Sequence, residues 1–67
     1  MANTILRLPH VKQRTGLSRS TIYLRMSEGT FPKSISLGER TVGWLEDEIE
    51  DWIAEKINSR REATLHP

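Results

Sequence analysis

Apolar positions along this chain recur at helical spacing in three places and alternate in one. Ile5, Leu6 and Leu8 open it as a short extended segment. Pro9 suits the first turn of a helix, where its missing N–H is not needed. Leu8, Val11 and Thr15 then follow at helical spacing until Gly16, a C-terminal stop. This predicts a first helix of about two turns. Ser18 is an N-cap, its hydroxyl placed to accept from the backbone N–H of Ser20 or Thr21. At about 100° per residue, Ile22 and Met26 share one face of a second helix with Tyr23 beside them. Ser20, Thr21 and Leu24 lie opposite, Arg19 and Arg25 flank the apolar stripe, and Gly29 ends the helix.

The period changes after Gly29. Phe31, Ile35, Leu37, Val42 and Trp44 alternate with polar residues around Gly38-Glu39-Arg40, the pattern of a short hairpin with its tip at Gly38 to Arg40. Helical spacing returns with Ile49, Trp52, Ile53 and Ile57, an amphipathic third helix. Glu46, Asp47 and Glu48 in its first turn and Lys56, Arg60 and Arg61 near its end complement the helix dipole. Two helices across a glycine turn, followed by a hairpin and a closing helix, predict a mainly α fold with a small β-hairpin, a winged helix-turn-helix. The expected core is Ile22, Met26, Leu37, Trp44, Ile49 and Trp52. The expected organisation is a flexible leader over 1–4, one domain over 5–60 and a disordered tail over 61–67.

Length and charge sharpen this picture. A chain of 67 residues buries a small core, and without cysteine no disulfide reinforces it. The absence of cysteine fits a reducing compartment and removes thiolate metal sites. No apolar run approaches a membrane span or a signal-peptide core, so a cytoplasmic protein without membrane contact is expected. The net charge of +1 hides an asymmetry. Up to Gly43 there are seven basic residues (Arg7, Lys12, Arg14, Arg19, Arg25, Lys33, Arg40) against two acidic ones (Glu28, Glu39). From Trp44 onward there are three basic residues against seven acidic ones. One face is thereby suited to a polyanion.

Candidate chemistry follows from that asymmetry. A helix entering the DNA major groove presents short polar side chains near its N-terminus and basic residues at its margins. Ser20 and Thr21 have the reach for base edges or nearby phosphates, and Arg19 and Arg25 for phosphates or a guanine. Tyr23 combines a hydroxyl for a phosphate with a ring for the core. Lys33 and Arg40 are placed for backbone or minor-groove contacts from a wing; Lys12 and Arg14 are weaker phosphate candidates. Leu24 stays open between a thymine methyl and a protein neighbour. Nothing supports catalysis: His10 and His66 lie far apart, no glycine-rich phosphate loop is present, and the acidic run over Glu46 to Asp51 reads as a solvated helix face. No cofactor or metal is expected.

The stretches TGLSRSTIY, FPK and LGERTVGW, in this order, resemble the AlpA family of phage and prophage regulatory proteins. That family is similar in fold to excisionases and to the DNA-binding domain of MerR-type regulators. The resemblance runs from about Leu6 to Ile53, is looser at Leu24 and Arg25, and is absent after Ile57. It implies a regulator that binds double-stranded DNA at promoters or attachment sites, activating integrase expression or biasing recombination toward excision. By position, Ser18 to Tyr23 match the start of the family's recognition helix and Gly38 to Arg40 its wing tip. Self-association on repeated sites, and contact with an integrase or RNA polymerase, are the further partners expected. The alternative is a protein-interaction module whose acidic third helix recruits polymerase or a recombinase.

Overall fold

The computed structural model describes residues 3–65, with side chains described as far as Arg61. Among the described residues the elements run β1 (Ile5–Leu6), α1 (Leu8–Thr15), α2 (Arg19–Glu28), β2 (Ile35–Gly38), β3 (Thr41–Leu45) and α3 (Glu46–Leu65). The mainly helical, hairpin-containing class is as expected, with one addition. The opening extended segment joins the hairpin, making a three-stranded antiparallel sheet of order β1-β3-β2. Ile5 faces Leu45 and Leu6 faces Trp44 across that added pairing. The backbone N–H of Glu46 donates to the Thr4 carbonyl (2.8 Å), which carries the chain start onto the first residue of α3.

The α1–α2 turn is fixed locally. Gly16 takes the left-handed conformation (φ 72°) that a side chain resists, and its N–H caps the Lys12 carbonyl at 2.8 Å. Thr15 Oγ1 donates to the Val11 carbonyl (2.7 Å) and accepts from the Leu17 N–H (3.3 Å). Ser18 caps α2 as expected, accepting from the Thr21 N–H. At the other end the Gly29 N–H closes on the Arg25 and Met26 carbonyls.

Leu6, Val11, Ile22, Phe31, Trp44 and Ile49 form the buried core, and Leu8, Leu17, Met26, Val42, Trp52 and Ile53 pack against it. Both tryptophans fasten the α2–β2 connection. Trp44 Nε1 donates to the Pro32 carbonyl (3.1 Å) and Trp52 Nε1 to the Thr30 carbonyl (2.8 Å). Phe31 is buried between those anchors and meets Trp52 edge-on, with ring centroids 5.0 Å apart.

One expected core position is corrected. Leu37 is not core: it is 45% exposed. The pairing sets Ile35 opposite Gly43 and Ser36 opposite Val42, with a register shift before Gly38. Strand residues directly opposite share a face, so Ile35 and Leu37 lie on the side away from Trp44. Ile57, 48% exposed, lies beyond the end of the core, because the stripe on α3 leaves the body after Ile53. The helix itself runs on to Leu65, into the stretch expected as a tail from residue 61; Lys56, Arg60 and Arg61 therefore precede its last turn. His66, Pro67, Met1 and Ala2 lie outside the described residues.

Gly43 is needed on the outer side of the sheet. A Cβ there would overlap Ile5 Cγ2 and come within 3.1 Å of Leu37 Cδ1 and 3.2 Å of the Leu6 carbonyl oxygen. Gly43→Ala should therefore cost about 1–3 kcal/mol, measured by urea denaturation. Adding Ile5→Ala should return part of that loss, because it removes the overlapping methyl.

Candidate nucleic-acid interface

The N-terminal half of α2 presents its polar side chains by helix geometry. With Ile22 turned fully inward and Met26 half-buried, the opposite side carries Ser20, Leu24 and Ser27, with Arg19 and Tyr23 at one margin. Arg19 and Ser20 are exposed, and the Arg19 guanidinium lies 5.6 Å above the Tyr23 ring. Tyr23 in turn meets Trp44 edge-on, with centroids 6.4 Å apart and planes at 69°. A continuous contact thus runs from the core indole through Tyr23 to a surface cation. The Tyr23 ring packs inward against Trp44 while the residue stays 37% exposed.

Thr21 and Arg25 lie on the other margin and are half-buried. Thr21 belongs to the cap. Its Oγ1 accepts from the Ser18 hydroxyl (2.9 Å) and its N–H donates to the Ser18 oxygen (3.3 Å). Its own hydroxyl proton remains available to an acceptor outside. Arg25 Nε is buried without a hydrogen-bond partner. Leu24 is 57% exposed on the open face.

Lys33 and Arg40 sit on the approach to the hairpin and at its turn, both exposed. Arg40 holds φ 58°, a left-handed turn conformation uncommon outside glycine. Neither forms a hydrogen bond or ion pair among the described residues. Trp44 ties this hairpin to α2 through Tyr23, so the two basic elements are fixed relative to one another.

Two basic residues of the first helical region have other partners. Arg14 pairs with Glu46 (2.8 Å) and Glu50 (3.4 Å) of α3, so the charge weighed as a phosphate contact is compensated within the chain. Arg7 Nε donates to the Val42 carbonyl (3.0 Å), placing another cation beside β3. That position has no signal in the sequence, because it depends on β1 joining the sheet. Lys12 remains exposed. Among the described residues no group of three His, Cys, Asp or Glu side chains is arranged to hold a metal ion.

The family model described as prophage CP4-57 regulatory protein (AlpA) matches residues 4–57. A protein of Escherichia coli (strain K12) named DNA-binding transcriptional activator AlpA is 45% identical over 58 residues, covering 78% of this chain and 83% of that one. An uncharacterized protein of Enterobacteria phage P4, ORF88, is 46% identical over 56 residues. That match takes in 84% of this chain but spans only 64% of the phage protein.

The cap carries a direct consequence. Ser18→Ala removes the acceptor for the Thr21 N–H and the donor to its hydroxyl, and should lower stability by about 1 kcal/mol. Ser18→Asp restores the acceptor and should recover most of the loss in the same denaturation assay.

Proposed function

This chain belongs to the AlpA family of prophage regulatory proteins, and on that premise we propose that it is a sequence-specific double-stranded DNA-binding regulator acting in the cytoplasm. The observation that carries this reading is the exposed N-terminal end of α2, where Arg19 is held over Tyr23 beside the free Ser20 hydroxyl. Its E. coli relative, named a DNA-binding transcriptional activator, supports the same class of activity.

In this reading α2 enters the major groove. Arg19 supplies a planar fork, suited to a guanine edge or a phosphate. Its position over the Tyr23 ring reduces the conformational freedom it loses on binding. Ser20 reads a base edge, and Thr21 donates its remaining hydroxyl proton to a phosphate. The Tyr23 hydroxyl meets the backbone, and Arg25 supplies longer-range positive potential from the margin. The hairpin acts as a wing, with Lys33 and Arg40 on the backbone of the neighbouring groove. The compensated Arg14 takes no part. One module of this size buries roughly 600–1,000 Å² of its surface on DNA. Several copies on repeated sites would supply the remaining specificity. The regulated target is an integrase gene or an attachment site, so that the protein turns on integrase or favours excision.

Footprinting on DNA upstream of a neighbouring integrase gene locates the site and the number of copies. On the footprinted sequence, fluorescence anisotropy should give log K falling with log salt by about 0.9 per neutralised phosphate. Lys33→Ala and Arg40→Ala should each shallow that slope by about 1 and weaken all sequences alike. Arg19→Ala should cost about 1–3 kcal/mol on the specific site and relax discrimination at one base pair. Affinity indifferent to salt, or unmoved by Arg19→Ala, rules out the groove assignment.

A further inference from the structure

The C-terminal end of α2 faces a feature that DNA binding leaves unused. An open cleft of about 540 Å³ separates the connection over residues 29–32 from α3, whose Glu48, Asp51, Trp52, Glu55 and Lys56 form the facing wall. The walls are held in place. Trp52 Nε1 is bonded to the Thr30 carbonyl at 2.8 Å, and Phe31 stands edge-on against the same indole. A cleft fixed by such contacts is largely pre-formed.

Its charge is one-sided. The α3 carboxylates divide by face: Glu46 and Glu50 turn toward α1 and pair with Arg14, whereas Glu48, Asp51 and Glu55 line the cleft. Among the described residues these three carboxylates have no hydrogen-bond or ion-pair partner. The C-terminus of α2, with its partial negative charge, ends at the same place. Strung along one helix, the carboxylates do not converge on a metal position. The chain also places a cation of its own here: Lys56 Nζ lies 5.3 Å from the centroid of the Trp52 ring.

We propose that this cleft docks an arginine-bearing segment of a protein partner. Its guanidinium stacks on Trp52 in place of the Lys56 ammonium, and its N–H fork engages the Asp51 carboxylate and those of Glu48 or Glu55. Arginine fits better than lysine because its plane stacks on an indole while donating two parallel hydrogen bonds to a carboxylate. Nucleic acid is repelled by the same carboxylates. The cleft opens at the far end of α2, about 15 Å along the helix from Arg19, so DNA and the partner segment are held at the same time. The inference stands on the cleft alone and does not depend on the DNA reading.

The test is a titration of the isotope-labelled full chain with a blocked hexa-arginine peptide, followed by amide NMR, with hexa-lysine run in parallel. Saturable shifts confined to residues 29–32 and 48–56 are expected, with arginine bound at least about fivefold more tightly than lysine. Glu48→Gln combined with Asp51→Asn should weaken hexa-arginine about tenfold or more. Lys56→Gln, by freeing the ring, should strengthen it about twofold to threefold. These positions are exposed, so the variants should keep the dispersed spectrum of a folded chain, and their DNA affinity should not fall. Shifts scattered over the surface, or equal affinity for the two peptides, would overturn the proposal. Shifts at the same residues that grow with protein concentration alone would assign the cleft to a second copy of this chain instead.

Discussion

The indole of Trp44 is the contact on which the rest of the molecule depends. It is fully buried, its N–H is satisfied by the Pro32 carbonyl, and its edge receives Tyr23 from α2. A buried indole contributes a large apolar area but must satisfy its N–H, so its position is specified by direction as well as by volume. Through it the sheet, α2 and the α2–β2 connection become one body. Among the described residues the buried core is only six side chains, so each contact of this kind carries a large share of the packing. The second tryptophan repeats the arrangement nearer the surface, where Trp52 bonds the Thr30 carbonyl and Phe31 fills the space between.

This fastening gives the surface its two characters. On one side Arg19 rests on Tyr23, with Ser20 beside it and Arg40 on the exposed turn of the hairpin. On the other, Glu48, Asp51 and Glu55 line an open cleft together with Trp52. Between them Arg14 bridges to Glu46 and Glu50, neutralising charge where α1 meets α3. As an exposed pair, this bridge adds little stability, under about 1 kcal/mol. Its larger effect is to neutralise the one arginine of α1, so that before Trp44 the cations outside ion pairs among the described residues are Arg7, Lys12, Arg19, Arg25, Lys33 and Arg40. A near-neutral protein is thereby a strongly polar one, and polarity rather than net charge directs a module of this size toward its ligands.

The helices of the candidate site were legible because their signals are local. Gly16, Ser18 and Gly29 act through their own backbone neighbours, and the structure shows each cap as read. The inward positions of Ile22 and Ile49 follow from helical period and size alone. Thr21 was legible as a backbone donor to the cap but not as its side-chain partner, since a hydroxyl shared with Ser18 depends on a rotamer. Arg25 was legible as basic, whereas its buried Nε is set by how α2 settles against the body.

By itself, then, the sequence determined the order of elements, the ends of α1 and α2, and the division of charge about Trp44. These are properties of neighbouring residues. Only the tertiary structure decided which side of the hairpin faces in. The alternation of Ile35 and Leu37 with Val42 and Trp44 is compatible with either register, and pairing Ile35 with Gly43 sends the first two outward. Only the tertiary structure, likewise, drew Ile5 and Leu6 into the sheet and set Arg14 against α3. It also parted the acidic residues of one helix into a paired face and an open one. Each of these outcomes rests on a contact between residues distant in the chain, and a linear pattern of apolar and charged positions does not encode which distant partner will arrive.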